Sequence, residues 1–167
     1  MISLIKGTCN DLCFSEVIRN RYGEKVFTIK NGLRNLELAL GCHVMLRTNL
    51  CLKAGLCNGS TGTLVSVNFT PSFLKQQGSN CNLDGRTFDA KDVECLIIDF
   101  PDYVGNLLVE SETGDVGMPV FKIKETVDWE GENKTVETFK VELAYGATIH
   151  KCQVRENRKR TWKECLN

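Results

Sequence analysis

The residues best suited to chemistry form one short run, Thr148-Ile149-His150-Lys151-Cys152-Gln153, near the carboxyl end of the 167-residue chain. Lys151 is a phosphate-binding cation, Thr148 and His150 are compact donors, and Gln153 can bridge two partners. Such a set can present polar groups and a cation to a ligand, and the residue types alone leave open which ligand. For His150 taken alone, the alternative is a hydrogen-bonded, partly buried histidine. From His150 onward, Lys151, Arg155, Arg158, Lys159, Arg160 and Lys163 face only Glu156 and Glu164, a net of +4 in a chain whose total is zero. A basic end on a mildly acidic body fits an anionic partner, and equally fits a solvated tail.

The element that must position this run is the stretch before it. Phe139, Val141 and Leu143 alternate with polar residues, Ala144 and Tyr145 follow, and Gly146 breaks the pattern. That is a strand opening onto polar groups, as at the carboxyl edge of an α/β sheet where ligands bind. Tyr145 is expected in the core rather than as a base-stacking platform. Upstream, Asn10 to Gly23 reads as a helix with Asn10 or Asp11 as cap and Gly23 as stop. Lys25–Lys30 reads as a strand ending in an Asn31-Gly32 turn.

Leu36, Leu38 and Leu40 then alternate up to Gly41, and Val44–Leu46 is a short apolar strand. Arg47 to Gly62 reads as a loop in which Asn58-Gly59 is a strong tight-turn signal, because both residues tolerate positive φ. Asn58, Gly59 and Gly62 are expected to shape that turn. Thr63–Phe69 and Val93–Phe100 are strands, and the stretch from Pro71 to Asp92 is expected to be loop with one short strand. Asn106–Glu110 and Pro119–Lys124 are further short strands, and Asp128–Thr135 is a charged, hairpin-like loop. Short strands with frequent turn residues between Leu36 and Lys124 predict a small barrel.

Composition excludes some classes. The longest uninterrupted apolar run, Cys95 to Ile98, is far too short to span a membrane. No signal peptide is read at the start, so secretion is not expected and the sequons at Asn58, Asn68 and Asn133 are taken as chance matches. Nine cysteines occur without a C-x-x-C pair, so most are expected to be small buried apolar residues. A zinc-binding structural domain built on some of them is the weaker alternative.

Two blocks carry a family resemblance. The first is L-x-L-x-x-G-C-H-V-M-L-R-T-N-L followed by G-L-C-N-G-S-T-G-T-L-V, within Leu36 to Val67. The second is L-A-Y-G-A-T-I-H-K-C-Q, from Leu143 to Gln153, with I-D-F-P-D-Y-V-G-N and M-P-V-F-K-I between the two blocks. Together, over roughly residues 30 to 153, they resemble the Pif (petite integration frequency) family of superfamily-one DNA helicases. The resemblance implies a mainly β chain with some α. A small SH3-like β-barrel (36–125) would be flanked by incomplete pieces of a RecA-like α/β domain (1–35 and 126–153), with a basic tail at 154–167 outside the family pattern.

By the same resemblance Thr148, His150, Lys151 and Gln153 contact single-stranded DNA, and Arg47 is a candidate contact from the barrel; a plain surface arginine is the alternative. The family unwinds DNA 5′ to 3′ in genome maintenance (repair, recombination, telomere maintenance), using ATP and magnesium. Its partners are single-stranded or forked DNA, with no membrane and no specific protein partner indicated. The nucleus is the expected compartment, with the mitochondrion as alternative.

The chain departs from that pattern where the chemistry would sit. The phosphate-cradling string G-x-x-x-x-G-K-S/T is absent. So is the family's later "YVALSR" motif, whose arginine reaches the γ-phosphate. The expectation is a fragment or truncated product that binds no ATP and hydrolyses none alone, or a non-enzymatic nucleic-acid-binding module derived from a helicase.

Overall fold

The computed structural model describes residues 9–77, 81–110, 114–129 and 131–144. In chain order its elements are α1 (Cys9–Tyr22), β1 (Phe27–Asn31), β2 (Arg34–Leu38), β3 (His43–Leu46), β4 (Thr61–Phe69), α2 (Pro71–Gln77), β5 (Thr87–Asp89), β6 (Val93–Asp99), β7 (Val109–Glu110), β8 (Val116–Phe121), β9 (Ile123–Trp129), β10 (Glu132–Thr138) and β11 (Val141–Leu143). They form a six-stranded sheet in the order β11-β3-β4-β6-β8-β7, a three-stranded sheet β2-β1-β5, and the hairpin β9–β10.

The strands follow from alternation. In β1 and β2, Phe27, Ile29, Leu36 and Leu38 point inward, and the antiparallel register Phe27↔Leu38 puts them on one face. β6, the apolar Val93-Glu-Cys-Leu-Ile-Ile-Asp run, lies between β4 and β8 with Leu96, Ile97 and Ile98 fully buried. α1 sets Ile18 into the same core, its Tyr22 hydroxyl donates to the Gly41 carbonyl at 3.0 Å, and Arg19 pairs with Glu37 on β2. One connected buried cluster runs from Ile18 through Phe88 and Ile98 to Phe139 and Leu143.

Several expectations are corrected. The chain is mainly β, but the six-stranded sheet is open and no closed barrel forms among the described residues. Its end strands β11 and β7 span three and two residues, too short to pair the sheet around on itself. Apart from β1 with β5, every pairing between the described strands is antiparallel.

The expected Pro71–Asp92 loop contains α2. Thr70 stands at its N-cap, where its hydroxyl faces the Phe73 N–H at 3.4 Å, and Pro71 occupies the first turn, which tolerates its missing donor. Phe73 from that helix stacks on Phe69 with centroids 4.8 Å apart. The hairpin-like stretch expected at Asp128–Thr135 is the tip of a longer hairpin, β9–β10, paired from Ile123↔Thr138 to Trp129↔Glu132. The expected strand at Asn106–Glu110 shrinks to Val109–Glu110.

Candidate nucleic-acid interface

The first block builds a self-satisfied loop at the end of β3. The Gly59 N–H donates to the Leu46 carbonyl at 2.8 Å, and the Asn58 N–H donates to Asn49 Oδ1 at 2.9 Å. Ser60 Oγ donates to the Gly55 carbonyl at 2.9 Å and accepts the Cys57 N–H at 3.0 Å. Gly59 has φ +92, a conformation that an L side chain rarely adopts. Gly62, expected to shape the turn, lies instead inside β4 opposite Val44. Its role is close approach: a Cβ there would stand 2.5 Å from the Asp99 carbonyl oxygen on β6.

The second block is tied in by an asparagine. The Asn31 side chain accepts the Phe139 N–H at 2.7 Å and donates to the Phe139 carbonyl at 3.0 Å, imitating a strand neighbour. The Lys140 carbonyl then accepts the Arg47 N–H at 2.8 Å, and β11 pairs antiparallel with β3 in the register Val141↔Leu46, Leu143↔Val44. The strands of the two blocks are therefore direct neighbours. The stretch beginning at Phe139 had suggested a longer strand at a carboxyl edge of an α/β sheet; its described part is a three-residue edge strand of the antiparallel sheet.

Side chains reinforce that junction. Arg47, half-exposed, pairs with Glu142 of β11 at 3.2 Å. Lys140 pairs with Glu125 of β9, and Thr138 Oγ1 donates to the same carboxylate at 3.0 Å. The Lys140 hydrogen bond holds the Glu125 carboxyl below its ordinary value against the opposing effect of burial; the Thr138 hydroxyl and the nearby Arg47 charge add to the lowering. Two cations thus face two carboxylates, and the patch is electrically balanced.

Thr148, His150, Lys151, Gln153 and Tyr145 lie outside the described residues. The described chain stops at Ala144, whose N–H donates to the His43 carbonyl at 2.9 Å. His43 and Arg47 are at opposite ends of β3, about 13 Å apart at the usual rise per strand residue. The sheet thus brings Arg47 beside the Asn58-Gly59 turn and leads the chain toward Thr148 from its other end. Sequence reasoning passed over His43, an exposed ring with Nδ1 3.4 Å from Thr63 Oγ1, as well as Asn31, Glu125, Lys140 and Glu142. Lys140 and Glu142 were findable, since they alternate with Phe139, Val141 and Leu143. Asn31 was not, because its partner is a distant backbone.

No protein-family model matches the chain, and no curated protein matches it. Among solved structures it is similar to the Bacteroides Pif1 bound to ssDNA, with a TM-score of 0.42 and 14% identity over 86% of this chain and 30% of that chain. It is also similar to a double mutant of the Bacteroides Pif1 helicase (TM-score 0.39, 15% identity, 85% of this chain and 30% of that one). A third is unliganded Pif1 from Bacteroides sp (0.35, 16%, 71% and 28%). The chain spans less than a third of the length of these structures.

The chain holds no phosphate-cradling glycine loop with its lysine, and among the described residues no group of three or more His, Cys, Asp or Glu could hold a metal ion. Of the cysteines whose side chains are described, Cys42, Cys57 and Cys95 are buried, Cys81 is half-buried and Cys51 is exposed.

Proposed function

We propose that this chain is a helicase-related module that grips the backbone of single-stranded DNA and does not hydrolyse ATP by itself. The observation that carries this is the adjacency of the two motif blocks: β3 and β11, far apart in sequence, pair residue for residue. Chance similarity gives no reason for two separate strings to lie side by side, whereas a DNA-contact run anchored on a rigid sheet does. In this reading Lys151 neutralises a phosphate, Thr148 and His150 donate to neighbouring backbone oxygens, and Gln153 bridges. Arg47 belongs to a second contact near the Asn58-Gly59 turn. Joined to a nucleotide-binding motor, such a module would serve 5′ to 3′ unwinding in genome maintenance, in the nucleus or the mitochondrion.

A stand-alone binding module is the second reading, favoured by the single core that already joins α1 to β11. Both readings predict the same measurement. Anisotropy of a labelled oligothymidine should report binding whose affinity falls about 2.6-fold per phosphate contact between about 50 and 200 mM salt. Absence of binding at the lower salt refutes both. DNA-dependent ATP hydrolysis by the purified chain refutes the non-catalytic part.

A further inference from the structure

We infer that Glu142 acts as an internal competitor for the DNA phosphate at Arg47, so that Arg47 exchanges a carboxylate for a phosphate when a strand binds. This rests on the single-stranded DNA reading above and goes beyond it by assigning a role to the acidic half of the patch. Arg47 is the cation of the first block, at the open end of β3 beside the Asn58-Gly59 turn. Its side chain keeps 51% of its exposure while its guanidinium nitrogen sits 3.2 Å from the Glu142 carboxylate, itself 30% exposed. A partner group can reach both. Lys140, the other cation of the patch described above, pairs with Glu125, which also accepts the Thr138 hydroxyl and is therefore held in place. Glu142 is thus the carboxylate that a strand must displace to reach Arg47.

Solvent-accessible ion pairs are weak, so a phosphate, which can take the guanidinium fork with two oxygens, can replace a carboxylate there. The exchange also has a structural consequence. Glu142 sits in β11, directly before the chain that leads to Thr148, so its pairing with Arg47 cross-links β3 to the strand carrying the main contact run. Releasing it links strand binding at one end of the sheet to the freedom of β11.

The test is a double-mutant cycle on the full 167-residue chain, read by anisotropy of labelled oligothymidine at low salt. Glu142→Gln keeps the shape and removes the competitor, and should tighten binding about two- to fivefold, the range set by a solvent-accessible pair. Glu137→Gln on β10 removes the same charge from a pair with Lys124 instead of one with Arg47, and should change affinity by much less. Arg47→Gln should weaken binding, and in that background Glu142→Gln should give no gain. An equal gain from Glu142→Gln with and without Arg47, or from Glu137→Gln, means simple loss of negative charge and overturns the exchange while leaving the DNA reading intact. Failure of every variant and of the parent to bind overturns both.

Discussion

Gly62→Ala separates a glycine that shapes a turn from one that lets two strands meet. The added methyl would stand 2.5 Å from the Asp99 carbonyl oxygen, 2.7 Å from Ile98 Cγ2 and 2.8 Å from Phe100 Cδ1. The first of these atoms is backbone of the neighbouring strand, and Ile98 and Phe100 are buried, so no group can swing into solvent to make room. β4 must instead move away from β6 at the centre of the sheet. Overpacking of this kind costs about 1–3 kcal/mol, and the backbone obstacle places Gly62→Ala near 3 kcal/mol. At roughly 2–4 °C per kcal/mol for a chain of this size, Tm should fall by about 6–12 °C. Gly59→Ala is the contrast: φ is +92 but nothing lies within 4 Å of the new Cβ, so only a backbone cost of about 1–2 kcal/mol applies. Urea unfolding and thermal melts of both variants decide the matter. A loss at Gly62 equal to or smaller than that at Gly59 would refute the close-approach assignment.

Three further outcomes can be checked on the same protein. Asn31→Ala strips Phe139 of both side-chain hydrogen bonds, leaves a buried N–H unpaired, and should cost about 2–3 kcal/mol in urea unfolding, with faster amide exchange at Phe139. Glu125 has a carboxyl held below its ordinary value of 4.5 by Lys140, so its contribution is fully present above that pH and is lost as pH falls through the lower folded value. Glu125→Gln should therefore flatten the acid limb of a stability-versus-pH curve; an unchanged limb contradicts the pairing. Burial pushes the Cys42 and Cys95 thiols up to about 11, so at pH 8 both should label only on unfolding while exposed Cys51 labels in the native protein, as peptide mass analysis would show.

What the sequence made legible was local. β1, β2, β4 and β6 were readable because inward residues alternate or, in β6, because the apolar run is bounded by turns. α2 was hidden because the stretch from Pro71 is polar with little periodicity, although Thr70 followed by Pro71 is also a helix start. The full length of the β9–β10 hairpin was hidden because Lys124, Thr126 and Asp128 face solvent while Glu125 interrupts the inner face, so apolar alternation is faint. Whether the sheet closed, and that β11 would be an edge strand beside β3, depended on pairings between residues distant in sequence that no local pattern specifies. The candidate site shows the same division. Arg47 and the Asn58-Gly59 turn could be named from motif and turn chemistry, whereas the partners Glu142 and Asn31 required the fold. Gly62 was misassigned because the strand was started at Thr63, although Thr61 continues the same alternation.

The central claim is that Thr148-Ile149-His150-Lys151-Cys152-Gln153, which follows β11 in the sequence, grips a DNA backbone. The most direct measurement compares oligothymidine affinity of the parent chain with that of Lys151→Gln across a salt series. The account predicts salt-dependent binding in the parent, weaker binding in Lys151→Gln, and a salt slope shallower by about 0.7, the value for one lost phosphate contact on a single strand. Equal affinity and equal slope in the two proteins would contradict it.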